Sequence, residues 1–441
     1  MRDYLTILGA GLAGSEAAWQ AAERGVSVVL YEMRPVKPTP AHKTDHCAEL
    51  VCSNSLGNNQ SPSAPYLLKE ELRKFNSLVI DAGDTHAVPA GAALAVDREL
   101  FSKKITEQLL KHPNITLIRE EVTEIPSEGP VIVATGPLTS PRLSESISRL
   151  IGQEYLYFYD AISPIVDANT INYDKTFFAS RYDKGTDDYL NCPLNEGQYY
   201  SLVNELKNGE KVPFKSFEKP IYFEGCMPVE ELAMRGDKTL AFGPLKPVGL
   251  LHPETKEQFY AVVQLRHENK EGTAFNLVGF QTKLTYPEQK RVIRLIPGLE
   301  NAEFFRFGAI HRNTYINAPD VLSCELDLKK NSGIYFAGQI IGVEGYVESV
   351  SMGLLAALSA VKRIKGEVYS TPPVDTALGS LLKYVTETRR QSFQPMNINY
   401  GLFQVHEMKI RNKRERNKKI ELKALDSLSQ WMETINGELV K

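Results

Sequence analysis

An α/β fold, in which a discontinuous Rossmann-type dinucleotide-binding domain carries an inserted α+β domain and a helical C-terminal tail, is predicted by three observations. The chain opens on a strand, a glycine turn and a helix; apolar strands return at 131–134 and 333–338; and the stretch between them changes character. At 441 residues, two or three domains are expected. The expected division is 1–172 and 321–370 for the dinucleotide-binding domain, 173–320 for the insertion and 371–441 for the tail.

Composition narrows the class. Hydrophobic residues make up 42% and charged residues 24%, which excludes a disordered or fibrous chain. A formal net charge of −3 excludes a globally basic nucleic-acid coat, so any RNA contact has to be a local patch. Five cysteines, Cys47, Cys52, Cys192, Cys226 and Cys324, form an odd and sparse set that speaks for reduced thiols rather than a secreted disulfide framework. No export signal precedes Leu5 and every apolar run is interrupted, so a cytoplasmic protein without a membrane span is expected.

The first unit reads in order. Tyr4 to Leu8 forms a short buried strand, Gly9-Ala10-Gly11-Leu12-Ala13-Gly14 turns, an Ala-rich helix runs from Ser15 to Arg24, and Gly25 closes it. A second strand, Val26 to Tyr31, ends at Glu32. In such a turn the first glycine permits the bend, the second lets backbone approach a pyrophosphate, and the third lets helix and strand pack closely. Glu32 would accept hydrogen bonds from a ribose hydroxyl pair and repel a 2′-phosphate, favouring FAD or NAD over NADP.

The polar stretch from Pro35 to Ser63 is long for a plain connection, which marks it as functional. Asp97 to His112 reads as a helix, with Asp97 either its N-cap or a cofactor contact. Strands follow at Ile115–Ile118 and Val131–Ala134, the latter running into Thr135-Gly136. Within the insertion, Ala261–Leu265 and Asn276–Phe280 are strand-like. A strand returns at Gly333 and ends at Gly338-Gln339, followed by a small-residue helix from Ser349 to Ile364. Val131–Gly136 and Ile334–Gly338 resemble the later fingerprints of the two-dinucleotide flavoproteins, which implies FAD, with Gln339 where many of them carry Asp. The tail holds a basic run, Lys409 to Lys423, read either as a phosphate-contacting helix or as a solvated one.

Ala48–Leu56, which contains Cys52, and Glu224–Pro228, which contains Cys226, complete a wider pattern. With Tyr31–Pro35, Thr39–His42, Phe242–Gly249, Val343–Ser349 and Gln394–Asn397, they resemble the bacterial folate- and FAD-dependent tRNA (uracil-5-)-methyltransferases of the TrmFO family, over nearly the whole chain. The resemblance implies C5-methylation of the uracil at position 54 in the T-loop of tRNA. The implied carbon donor is 5,10-methylenetetrahydrofolate, the reductant is reduced FAD, and NADH or NADPH supplies the electrons. Uracil C5 is a poor nucleophile, and a thiolate added at C6 gives it carbanion character. By the resemblance Cys226 is that thiol, the methylene passes through flavin N5, and Cys52 is a second thiol beside the flavin.

Other readings stay open on residues alone. They are the same chemistry on 23S rRNA, the wobble-uridine flavoproteins of the MnmG/GidA type with their longer C-terminal region, a non-catalytic flavin-bearing RNA-binding protein, and a small-molecule flavin oxidoreductase. Free cysteines are more often buried apolar groups than nucleophiles; Cys47, Cys192 and Cys324 match no motif and are read as structural. His42, His46, Cys47 and Cys52 share one loop but match no paired ligand spacing, so no metal is expected. His311 and Arg312 either line a folate pocket or are structural.

Overall fold

The structure is a computed structural model that describes residues 4–39, 41–127, 129–152, 156–183, 186–213, 222, 227–388, 393–403 and 410–437. Its first six-stranded sheet runs in the order Asp327–Leu328, Asn331–Phe336, Val131–Val133, Tyr4–Leu8, Ser27–Glu32, Ile115–Arg119. All pairs are parallel except the first. Parallel strands covered on both faces need apolar residues on both, and Leu5, Ile7 and Val131 to Val133 are fully buried. Strands contributed from residues 4 to 336 lie side by side, with Thr6 opposite both Val29 and Val131 and Ile334 opposite Val131.

Two helices from opposite ends of the sequence, Leu12–Glu23 and Tyr346–Lys365, pack against each other. Their contact is made of small residues, and a Cβ on Gly353 would lie 2.2 Å from the carbonyl oxygen of Ala13. Ala377–Glu387 and Lys413–Gly437 extend the same core, to which the latter contributes Ala424, Leu428 and Trp431.

A second six-stranded sheet, wholly antiparallel, runs Phe177–Phe178, Tyr189–Leu194, Ala261–His267, Ala274–Leu277, Ile165–Asp167, Phe304–Arg306. It has its own core around Leu265, Phe275 and Leu277, closed by the helix Glu196–Asn208. The ribbon Leu156–Ala161 with Ile310–Tyr315 carries the chain between the two sheets. The long polar stretch is ordered by a small sheet in which Ser55–Asn58 pairs with Ala93–Val96. Asp97 is the N-cap of Arg98–Lys111, its Oδ1 accepting the N–H of Leu100 at 3.0 Å.

Candidate active site

The strand Tyr4–Leu8 delivers Gly9 at φ +94, where a Cβ would stand 2.8 Å from the Ala134 carbonyl oxygen. A Cβ on Gly14 would come within 1.8 Å of the Gly9 carbonyl oxygen, so this glycine lets the helix sit on its own turn. Gly11 is different: a Cβ there meets nothing within 4 Å. Protein packing therefore does not demand Gly11. Gly136 faces the same kind of open space, while a Cβ on Gly338 would press to 2.8 Å on the Ala13 Cβ.

These residues enclose a cleft of about 1050 Å³, lined by Gly9, Gly11, Leu12, Ala13, Glu32, Thr135, Gly136, Gly338 and Gln339. No side chain caps the helix that starts at Leu12, so its first-turn N–H groups form an anion seat at the wall. Ala10 and Gly14 do not line the cleft. Ala10 lies behind it and donates its N–H to Glu32 Oε2 at 3.1 Å.

Glu32 also binds Arg34, which the sequence had not singled out: Arg34 Nε donates to Glu32 Oε1 at 2.9 Å and Nη1 to Glu49 Oε2 at 3.1 Å. Burial pushes the Glu32 carboxyl up, yet the hydrogen bonds and charge of Arg34, with the Ala10 N–H, outweigh it and hold it below the usual carboxylate range. It therefore stays an acceptor at neutral pH.

A second cavity, about 1590 Å³, adjoins the first, and Val51, Pro137, Leu138, Gln339 and Tyr346 line both. Half-buried Cys52 stands in this cavity with its Sγ 3.7 Å from the Ala161 carbonyl oxygen. Three guanidinium groups grip its loop. Arg98 donates to the carbonyls of Leu50 and Cys52, Arg306 to that of Val51, and Arg266 to Ser53 Oγ and Asn54 Oδ1. Arg266 and Arg306 come from the second sheet, so that sheet holds the thiol loop against the first.

Several polar side chains are set into the cavity wall. Gln339 Nε2 donates to Glu344 Oε2 at 2.9 Å, and burial, reinforced by Asp160, pushes the Glu344 carboxyl well above its usual range. Burial, with Arg306 and Lys43 adding to it, pushes His311 down to about 4, so its ring is neutral at neutral pH. The His311 Nε2 and the Asn276 Nδ2 are buried without a hydrogen-bond partner, and both residues line this cavity. Such groups call for a ligand with hydrogen-bonding edges.

Cys226 lies outside the described residues, as does Lys409 at the head of the basic run. Shortly after Cys226 the chain is anchored: the Val229 N–H donates to the carbonyl of Gln281, a residue of the second cavity wall, at 2.7 Å. Cys47 and Cys192 are buried and Cys324 is exposed. Among the described residues no group of three or more His, Cys, Asp or Glu is arranged to hold a metal ion. Nor is any helix among them long and apolar enough to cross a membrane.

A family model described as glucose inhibited division protein A matches residues 4–368. The methylenetetrahydrofolate--tRNA-(uracil-5-)-methyltransferase TrmFO of Natranaerobius thermophilus is 57% identical over 429 residues, 97% of this chain and 99% of that protein. The Bacillus subtilis protein of the same name is 53% identical over 431 residues, 98% of this chain and 99% of that one. Among solved structures, Aquifex aeolicus GidA in its form I crystal superposes with a TM-score of 0.71 at 18% identity, over 98% of this chain and 76% of that chain.

Proposed function

The chain belongs to the TrmFO family, within the wider group matched by the glucose inhibited division protein A model, and from that premise we propose that it is an FAD-dependent enzyme that methylates C5 of uracil in tRNA with methylenetetrahydrofolate. The target is the uracil at position 54 of the T-loop, and NADH or NADPH reduces the flavin. The enzyme works in the cytoplasm. One observation carries the reading: the dinucleotide cleft shares Val51, Gln339 and Tyr346 with an adjoining cavity that holds Cys52.

The residues fit FAD. Glu32 would hold the adenosine ribose, the helix end at Leu12 and Ala13 the pyrophosphate, and Thr135, Gly136, Gly338 and Gln339 the part nearer the second cavity. Gly11 and Gly136 leave the open backbone that such a ligand needs. When bound, the flavin supplies the one-carbon relay at N5 and the electron pair that completes the methyl group. His311 and Asn276, with their unused hydrogen-bonding atoms, would meet the folate.

The protein's own part is to activate the base. The Cys226 thiolate adds to uracil C6, C5 gains carbanion character and bonds the one-carbon unit, the C5 proton leaves, and the sulfur is then expelled. Cys226 precedes by three residues in sequence Val229, whose N–H is anchored on Gln281 of the cavity wall. Cys52, fixed by its loop, is the second thiol, serving proton transfer or guarding the reactive carbon. A uracil inside a folded T-loop has to be extruded to reach either sulfur.

The test is to incubate the flavin-loaded protein with tRNA transcript, labelled methylenetetrahydrofolate and reduced nicotinamide, and to map the label. Label on C5 of the uracil at position 54, absent from a transcript with cytosine there and from Cys226→Ala protein that retains its flavin, is the expected result. Label elsewhere, or flavin turnover indifferent to RNA, overturns the reading.

A further inference from the structure

Beside the second cavity lies a groove of about 1420 Å³ that the reaction does not use. Pro65 lines both, and Asn397 on the cavity side is followed by Ile398 on the groove side. Two helices begin at this groove, Ala64–Lys74 and Lys413–Gly437, so both bring the positive ends of their dipoles to it.

Lys413 and Arg416 line the groove, and neither has an acidic partner among the described residues. Among the described residues no Asp or Glu lines it. The nearby carboxylate of Glu421 is already engaged, by Lys418 at 2.7 Å and by Ser61 at 2.9 Å. Asn417, only 7% exposed, also lines the groove, and its Oδ1 has no hydrogen-bond partner. The hydroxyl of Tyr400, another lining residue, has none either.

Cations without acids call for an anion, and an unpartnered amide oxygen calls for a donor beside it. A ribose–phosphate unit supplies both, with the 2′-hydroxyl as donor. We propose that this groove seats a ribose–phosphate of the tRNA backbone, with the phosphate on Lys413 and Arg416 and the ribose hydroxyl on Asn417, while the target uracil occupies the adjoining cavity. The proposal rests on the reading that tRNA is the substrate. It names a second grip, made where the chain leaves the cavity wall.

Binding of flavin-loaded protein to tRNA transcript, followed across a salt series, tests it. Lys413→Gln with Arg416→Gln raises Kd about tenfold near 0.1 M salt, and the slope of log Kd on log salt falls by about 1 for each phosphate left without its cation. Asn417→Ala weakens binding about threefold and leaves the slope alone, because an uncharged contact releases no counterion. Lys419→Gln removes a charge from the same helix outside the groove and changes Kd less than about twofold. Flavin absorbance reports that each variant is folded. Wild-type Kd and slope in the double variant overturn the proposal, as does an equal loss in Lys419→Gln, which would make the effect one of net charge. If the wild-type protein neither binds nor methylates tRNA, the functional reading itself fails; if it does both while the groove variants bind normally, only the groove assignment fails.

Discussion

Tyr346 holds Cys52 by its backbone: the phenolic oxygen accepts the Cys52 N–H at 2.8 Å, across 294 residues of sequence. Tyr346 opens the long helix Tyr346–Lys365 and lines both cavities, so one hydroxyl ties the thiol loop to the wall between them. Burial pushes the phenol far up, which keeps it protonated while it accepts. Tyr346→Phe leaves the Cys52 N–H without its acceptor, at a cost of about 1–3 kcal/mol. Methyl transfer in a single turnover should fall about tenfold with flavin content unchanged; an unchanged rate would remove Tyr346 from the account.

The two glycines of the first turn should fail differently. Gly14→Ala forces a methyl into the Gly9 carbonyl, so both melting temperature and flavin content should drop. Gly11→Ala adds its methyl to open space, so the melting temperature of flavin-free protein should stay within about 2 °C while flavin affinity falls at least tenfold. Equal flavin retention in Gly11→Ala and wild type would place the pyrophosphate elsewhere.

Arg98 and Glu268 form a buried ion pair between the two sheet units, Nε to Oε1 at 2.5 Å, with side chains 15% and 8% exposed. Arg98→Met leaves the carboxylate buried without its cation and should destabilise the protein by about 3–5 kcal/mol in urea unfolding. Adding Glu268→Gln should recover part of that loss. A double variant no more stable than Arg98→Met would mean that the penalty comes from the freed Leu50 and Cys52 carbonyls instead.

Glu71 gives the stability a pH slope. Its carboxylate accepts the N–H groups of Ala377 and Leu378, at 2.7 and 2.8 Å, at the start of the helix Ala377–Glu387. Burial nevertheless pushes its pKa up to about 8. The folded state thus keeps a proton that the unfolded chain loses near the ordinary value of 4.5, so this contribution is complete below that pH and is lost as pH rises through about 8. Unfolding free energies from urea titrations at pH 5, 6.5 and 8 should decline by up to about 1.4 kcal/mol per pH unit, and Glu71→Gln, which keeps an acceptor, should flatten the decline. Parallel curves for the two proteins would refute the assignment.

The sequence announced those parts of the site that a local pattern can encode. Gly9, Gly11 and Gly14 were legible because strand, turn and helix are contiguous, and Thr135, Gly136, Gly338 and Gln339 because each ends an apolar strand; all but Gly14 line the cleft. What stayed hidden was made by distant partners. Arg266 and Arg306 reach the Cys52 loop from more than 200 residues away, and Tyr346 reaches it across 294, so no spacing or period records them. Arg34 was hidden for another reason: its segment, Tyr31–Pro35, says nothing of the burial of its guanidinium between Glu32 and Glu49. The helix behind Gly345 begins at Tyr346, ahead of the small-residue run from Ser349 that made it visible.

The approach of Gly353 to Ala13 bears on how the protein is made. One wall of the cofactor seat leaves the ribosome long before the helix that backs it, which is completed only at Lys365. During synthesis the strand Val131–Val133, which flanks the opening one, must therefore wait without its other parallel neighbour at 331–336 for most of the polypeptide to emerge. Capture of the dinucleotide is thus a late event in biogenesis, and truncated nascent chains have no complete seat to offer it.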